Sequence, residues 1–390
     1  MDKHRVAIIT PARFPGTAGD TANYSEIINQ LLRNGFEVLL ICPESGSVVT
    51  ESLANFDIIR IPCRPPRLNE IKNGIGFKTY LRLFLFLIIE SLVVLWILKH
   101  RKIKYAYMRH SILTMQLPIL LKLIRIKTIA DGELITDWMR QRVNPKFFRL
   151  LRFLEKKIFN LYSYYKVSSQ MQAENLLELR FLPKNRILLI PVSINIDRIP
   201  KFSIEEISPH TFGYFGALEE WQGVDLLLHG FALLLRNLPT ATLYIIGDGS
   251  MKNRLKDIVL QKDLSSNVIF VDGISREVLW YNYFTKFRIV MIPRVVQNDS
   301  TDSVLPIKLV ESLAAGKPTI ATDIPVMREI PKNPILLTPS GSPILLAEAM
   351  ESLSTNNTKL KEYSEASLAC AINYDIKLNI KKLIHVLGNH

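Results

Sequence analysis

Three cysteines in 390 residues, Cys42, Cys63 and Cys370, are too few and too scattered for a disulfide framework. No Cys-x-x-Cys and no zinc-ligand spacing occurs, which sets aside finger-type and thioredoxin-type readings and leaves a reduced chain with incidental thiols. Low-complexity tracts and internal repeats are missing too, so neither disorder nor a solenoid accounts for the length. A secretory leader needs an apolar stretch of roughly 7–15 residues. The opening MDKHRVAIITPARFPG meets Pro and Gly too early for that and is read as a strand entering a loop, in a cytoplasmic chain. The glycines after it, Gly16-Thr-Ala-Gly19-Asp20, lack the spacing of a dinucleotide fingerprint, which disfavours a nicotinamide cofactor.

What is present is a hydrophobic share of 48% against 22% charged residues, the balance of a globular chain with a large core. The length suits two domains. The net charge of +13 is unevenly placed. Residues 1–200 hold 30 Lys and Arg against 16 Asp and Glu, a net of +14, whereas residues 201–390 hold 19 against 20, a net of −1. A basic half suits nucleic acid, an anionic membrane surface or an acidic substrate. No nucleic-acid recognition motif accompanies it, so a membrane surface at the inner face or a phosphate-bearing acceptor is the expectation.

Residues 80–98, YLRLFLFLIIESLVVLWIL, are nearly long enough to span a bilayer. Glu90 and Ser91 interrupt the run at its centre, and a charge at mid-bilayer costs at least a few kcal/mol. Strand-like segments lie on both sides of it. A buried core helix, a membrane-touching helix and a spanning helix are all compatible with the pattern, in that order of preference. The basic HRKIK at 100–104 favours surface attachment over spanning.

Short β-branched runs alternate with helical patterns through both halves. In the first half the strand candidates are VAIIT (6–10), Val38–Cys42, DIIRIP (57–62), KYAYMR (104–109), IKTIAD (126–131), YYKVSS (164–169) and ILLIPV (187–192). The rhythm restarts with HTFGYFGAL (210–218), the helical VDLLLHGFALLLRNL (224–238), ATLYIIGDG (241–249), NVIFVDG (267–273), RIVMIP (288–293) and PTIATD (318–323). Strands alternating with helices imply parallel, doubly wound sheets. The predicted organisation is an α/β chain of two Rossmann-like domains, 1–200 and 201–390, joined near Pro200 and Pro209, with the last helix packing back on the first domain. Two such domains would place a ligand cleft between them, at the carboxyl ends of the strands.

Four stretches carry a family resemblance: GYFGALEEWQGVDLLLHGFALL (213–234), LYIIGDG (243–249) with NVIFVDG after it, LPIKLVESLAAGKPTIATD (305–323), and Glu329. Their order and spacing over about 120 residues resemble the retaining GT-B glycosyltransferases of the group 1, or family 4, type, which include bacterial phosphatidylinositol mannosyltransferases and sucrose synthases. The N-terminal half matches less closely, through its glycine loop, a strand ending in Arg109, and Ser168 with Met171.

From the residues alone, a helix starting at 304–306 offers free N–H groups and a partial positive charge to an anion. Lys308 stands in its first turn and Glu311 about one turn on. The resemblance implies that Lys308 meets the phosphates of a nucleotide sugar and Glu311 its ribose. It further implies that Gly249 lines the nucleotide side, that backbone near Gly273 meets the base, and that Gly19, Gly216, Gln222, Ser303, Val304 and Leu305 complete the donor site. Asp131 and Glu133, after a strand end, are read as facing a cleft or as a solvated pair. With Arg109 and Lys308 they are the candidates for catalysis.

Two departures stand out. Ser303 occupies the place of the first Glu in the family's Glu-x7-Glu, beside Asp302. Gln222 takes the place of the family's diphosphate-binding Lys, leaving Lys308, the helix start and Arg294 to compensate charge. The expected activity is hexose transfer from a nucleotide diphosphate sugar to a glycan or lipid-linked acceptor, with retention, without a bound metal or other cofactor. A nucleotide-sugar epimerase of the same fold and a catalytically degenerate membrane-associated scaffold are the alternatives.

Overall fold

The computed structural model describes residues 4–12, 14, 19–44, 55–61, 65, 77–139, 145–297, 300–332 and 334–388. Cys63, Gly16 and Ala18 lie outside these residues. The chain divides into two compact units, Met1–Ile190 with Ile380–His390, and Pro191–Asn379. The division falls at 190/191, where sequence had put it at 200/201. Val192, Ile194 and Ile199 explain the earlier point, since they are buried in a core cluster of the second unit.

In the first unit β1 (Arg5–Ile9), β2 (Glu37–Pro43), β3 (Phe56–Ile61), β4 (Tyr105–His110), β5 (Lys127–Gly132), β6 (Tyr164–Val167) and β7 (Ile187–Leu189) form one parallel sheet of order β3-β2-β1-β4-β5-β6-β7. The helices are α1 (Gly19–Arg33), α2 (Phe77–His100), α3 (Leu117–Leu123), α4 (Ile135–Met139), α5 (Pro145–Phe159), α6 (Gln170–Glu178) and, from the chain's end, α12 (Lys381–Gly388). Lys382 Nζ donates to the Leu189 carbonyl at 3.0 Å, tying α12 to β7. Val6–Ile9 and Val38–Pro43 are wholly buried. Helices on both faces of a parallel sheet require such unbroken apolar strands.

Helix α2 packs one face into the first unit. Phe86, Val94, Ile97 and Leu98 belong to the core of the first unit, so one face of the helix is committed to protein. The carboxylate that interrupted the apolar run, Glu90, points to that inner side and accepts a hydrogen bond from Gln116 Nε2 at 2.9 Å.

The second unit contains β8 (Thr211–Phe215), α7 (Val224–Leu234), β9 (Thr242–Ile246), α8 (Lys252–Gln261), β10 (Val268–Val271), β11 (Ile289–Ile292), α9 (Ile307–Ala314), β12 (Thr319–Thr322), β13 (Ile335–Thr338), α10 (Pro343–Thr355) and α11 (Asn357–Ala371). Its sheet, also parallel, runs β10-β9-β8-β11-β12-β13. One face is covered by Leu309, Val310 and Leu313 of α9, the other by Leu227, Leu228 and Phe231 of α7 with Leu346, Met350 and Leu353 of α10. The strand order reverses between β8 and β11. In open α/β sheets that switch point, at the carboxyl ends of the strands, is where a crevice for ligands opens.

Candidate functional site

The carboxyl ends of β8 and β11 carry the residues that sequence singled out in the second half. After β8 the chain turns through Gly216 to a short 3-10 turn, Glu220–Gln222. Gly223 follows with φ of 68°, and a Cβ there would lie 2.0 Å from the Pro293 carbonyl oxygen. Only glycine lets the loop after β8 press against the end of β11 this closely. The Val295 N–H donates to the Trp221 carbonyl at 3.0 Å and closes the contact. At the end of β9, Gly247 has φ of 149° and no room for a Cβ, which would meet the Gly216 carbonyl oxygen at 1.9 Å. Gly249 follows in the same turn, where the Leu218 N–H donates to the Asp248 carbonyl at 2.9 Å. Asp248 also accepts from the Gly273 N–H at 2.7 Å, which joins the ends of β9 and β10.

Beneath these turns lies Lys308. The first turn of α9 directs it inward, and it is buried. Its Nζ donates to Gln222 Oε1 at 2.8 Å and to the Tyr214 hydroxyl at 3.1 Å, and it lies 4.3 Å from the Tyr214 ring centroid. The Tyr214 hydroxyl in turn donates to the Ala217 carbonyl at 2.6 Å. None of these partners is a carboxylate. Burial, reinforced by the Arg294 guanidinium, lowers the Lys308 ammonium to about 7, with Glu311 pulling weakly the other way. Gln222, which stands where the resemblance has a lysine, acts here as an acceptor for Lys308.

Arg294, buried after β11, stacks its guanidinium 5.0 Å from the Trp221 ring centroid and donates through Nη1 to the Val304 carbonyl at 3.2 Å. Helix α9 begins at Ile307 with Pro306 as its cap residue, later than the expected 304–306. Proline cannot donate, and no side chain caps this end. Leu305 is buried before it, as is Ser303 in the turn Ser300–Ser303. Asp302 beside Ser303 accepts from the Gln297 N–H at 3.0 Å.

Glu311 is buried one turn along α9. Its Oε1 accepts from Arg276 Nε at 2.8 Å and from Trp280 Nε1 at 3.0 Å, and the Arg276 guanidinium lies 5.0 Å from the Trp280 ring. Two donors on one oxygen fix the carboxylate and leave Oε2 for further donors. Sequence reasoning missed Arg276, Trp280 and Tyr214. Tyr214 read as an ordinary strand residue, and the SREVLW stretch carries no pattern that announces a partner for Glu311. Glu329 stands exposed at the end of the turn Pro325–Glu329.

The first unit treats its candidates differently. Asp131 ends β5 but is neither solvated nor facing open space. It is buried and accepts from the Tyr24 hydroxyl at 2.8 Å and the Tyr107 hydroxyl at 2.9 Å, with Lys166 Nζ at 3.9 Å. Burial and the Asp131 charge push the Tyr107 hydroxyl well above its usual range. Glu133 pairs with Arg109 at 3.8 Å, both partly exposed. Gly19 is the first residue of α1. Sequence also missed His110, whose ring is buried between the Tyr162 hydroxyl at 2.8 Å and Glu155 at 3.1 Å. Burial would raise the Glu155 carboxyl, but His110, Thr136 and the Ile135 N–H outweigh it and hold the group below its usual value. Ser169 caps α6 by accepting from the Gln172 N–H at 3.1 Å, so the Ser168 region serves a helix start.

Two parallel-sheet α/β units, the second with a cation-lined loop edge at its switch point, define the GT-B glycosyltransferase fold. Residues 196–368 match the family model for glycosyl transferases group 1. An uncharacterized glycosyltransferase of Methanocaldococcus jannaschii is 23% identical over 221 residues, which cover 53% of this chain and 52% of that protein. The match thus spans about half the length of the curated relative. Among solved structures, sucrose-phosphate synthase from Thermosynechococcus elongatus superposes with a TM-score of 0.78 at 17% identity, covering 99% of this chain and all of that one. Anabaena HepE, solved in complex with UDP-glucose, superposes with a TM-score of 0.73 at 14% identity, covering 99% of this chain and all of that one.

Proposed function

We propose that this chain is a glycosyltransferase that binds a nucleotide diphosphate sugar at the switch point of its second sheet and transfers the hexose with retention of configuration. The observation that carries the reading is Lys308, a buried amine held by two neutral side chains beside Arg294 and against Gly216, where a Cβ would lie 2.9 Å from its Nζ. A diphosphate supplies the negative charge this arrangement lacks. As the bond to the sugar breaks, charge builds on the leaving diphosphate, and preorganised cations and N–H groups stabilise it most at that moment. The two cations and the uncapped start of α9 meet that demand without calling on a metal. Glu311, fixed by Arg276 and Trp280, is oriented to accept hydroxyl hydrogen bonds from the nucleotide ribose.

The acceptor belongs to the first unit in this reading. The excess of +14 in residues 1–200 suits a phosphate-bearing lipid-linked or glycan acceptor at an anionic membrane surface. Calorimetry with uridine, guanosine and adenosine diphosphate sugars tests the donor half. One donor binds the wild type tightly, and Glu311→Ala weakens it at least tenfold, about 1.4 kcal/mol. A folded protein that binds none of the three rules the reading out.

A further inference from the structure

We infer that the outer face of α2 is a docking surface for an anionic lipid bilayer, on which the chain rests without crossing it. Leu81, Phe84, Leu85, Ile88, Leu92 and Trp96 recur at helical spacing along α2 and are all exposed, with Phe84 at 60% and Leu92 and Trp96 at 63%. The opposite face, with Phe86, Glu90 and Val94, is fully buried. The most apolar 18-residue window of Leu81–His100 has a mean hydropathy of 2.5, yet only 28% of it is buried within the protein. A core helix of that hydropathy would be covered. This one is covered on one side only, and α3 beside it adds Leu123, 76% exposed.

Charge identifies the occupant. Residues 77–127 contain ten Lys and Arg and one carboxylate, Glu90, which is turned inward onto Gln116. Lys78 and Arg82 are exposed at the start of α2, and Lys99, His100, Arg101 and Lys102 at its end. An apolar stripe with cations at both ends matches an interfacial helix lying at the depth where acyl chains meet anionic headgroups. A second copy of the chain fits poorly, because pairing through this stripe in either direction sets cations against cations. The inner face of α2 is part of the core, so the helix lies along the bilayer surface. The inference extends the membrane-facing part of the proposed function but does not depend on donor binding.

Vesicle flotation of the full chain tests it, with vesicles of phosphatidylcholine alone and with about one third phosphatidylglycerol. The wild type floats with the anionic vesicles and severalfold less with the neutral ones. Leu92→Glu combined with Trp96→Glu lowers anionic-vesicle binding at least tenfold, while circular dichroism and nucleotide-sugar calorimetry on the same variant keep their wild-type values. Should that variant misfold, quenching of wild-type tryptophan fluorescence by brominated lipid, diminished in Trp96→Phe, reads the same contact. Failure of the wild type to float with anionic vesicles overturns the inference. So does flotation that the double substitution leaves unchanged, or a wild-type dimer that the substitution converts to monomer.

Discussion

The two sheets carry charged groups at equivalent edges, and they handle them in opposite ways. In the first unit Asp131 is matched by two tyrosine hydroxyls and Lys166, and His110 by Glu155. In the second, Lys308 hydrogen-bonds, among the described residues, to a glutamine and a tyrosine, with another cation close enough to lower its proton affinity and Glu311 a weaker opposing influence. A buried charge that has its counter-charge is part of the core. One set among neutral partners is costly to bury, and it pays for itself when a ligand brings the missing charge. By that criterion the second sheet is the one built for an anion.

The contrast breaks most readily at Lys308. Lys308→Met, which keeps the length and removes the charge, is expected to lower nucleotide-sugar affinity roughly a hundredfold, in line with about 2–3 kcal/mol for a charge-assisted hydrogen bond. Circular dichroism should show the fold retained. The corresponding change in the first sheet should do the reverse. Asp131→Ala removes the shared acceptor of two buried tyrosine hydroxyls and is expected to destabilise the protein by about 2–3 kcal/mol in chemical denaturation, with donor affinity unchanged. Loss of donor affinity at constant stability would erase the distinction between the two edges.

Glu90 sharpens the comparison through pH. Burial, only partly offset by Gln116, raises its carboxyl to about 8, so the folded chain holds that proton at neutral pH. In the unfolded chain the group titrates near 4.5. The stability that protonation contributes is complete below about 4.5 and is lost as pH rises through about 8. Glu90→Gln keeps a neutral partner for Gln116 and should flatten this loss, with thermal midpoints equal to wild type near pH 4.5, already higher near pH 6 and highest relative to wild type above about pH 8.

Much of this was legible in the sequence for a physical reason. The strands of a parallel sheet are buried on both faces and read as unbroken β-branched runs, so VAIIT, FEVLLIC and RIVMIP stood out. The strand Ile335–Thr338 did not, because four residues between Pro334 and Pro339 look like any apolar linker. In the site, Lys308, Glu311 and the glycines were visible because each stands at a fixed place just after a strand, Gly216 after β8, Gly249 after β9, Gly273 after β10, and Lys308 with Glu311 on the helix that follows β11. Arg276 and Trp280 reach Glu311 from 35 and 31 residues away, and His110 reaches Glu155 from 45. Only tertiary structure brings such pairs together. The contact of Gln222 with Lys308 was hidden for the same reason, since the two are 86 residues apart.

The central claim is that Lys308 awaits a diphosphate, and proton linkage tests it most directly. Burial and the nearby Arg294 hold the Lys308 amine near 7, and a bound diphosphate favours the charged form. Binding above that pH must therefore take up a proton, and affinity falls by up to about tenfold per pH unit between 7 and 9. Calorimetry of the preferred nucleotide sugar at pH 8, in two buffers of different ionisation enthalpy, counts that proton. The account predicts uptake of about one proton by the wild type and almost none by Lys308→Met. Binding without proton uptake, or with the same uptake in the variant, would contradict it.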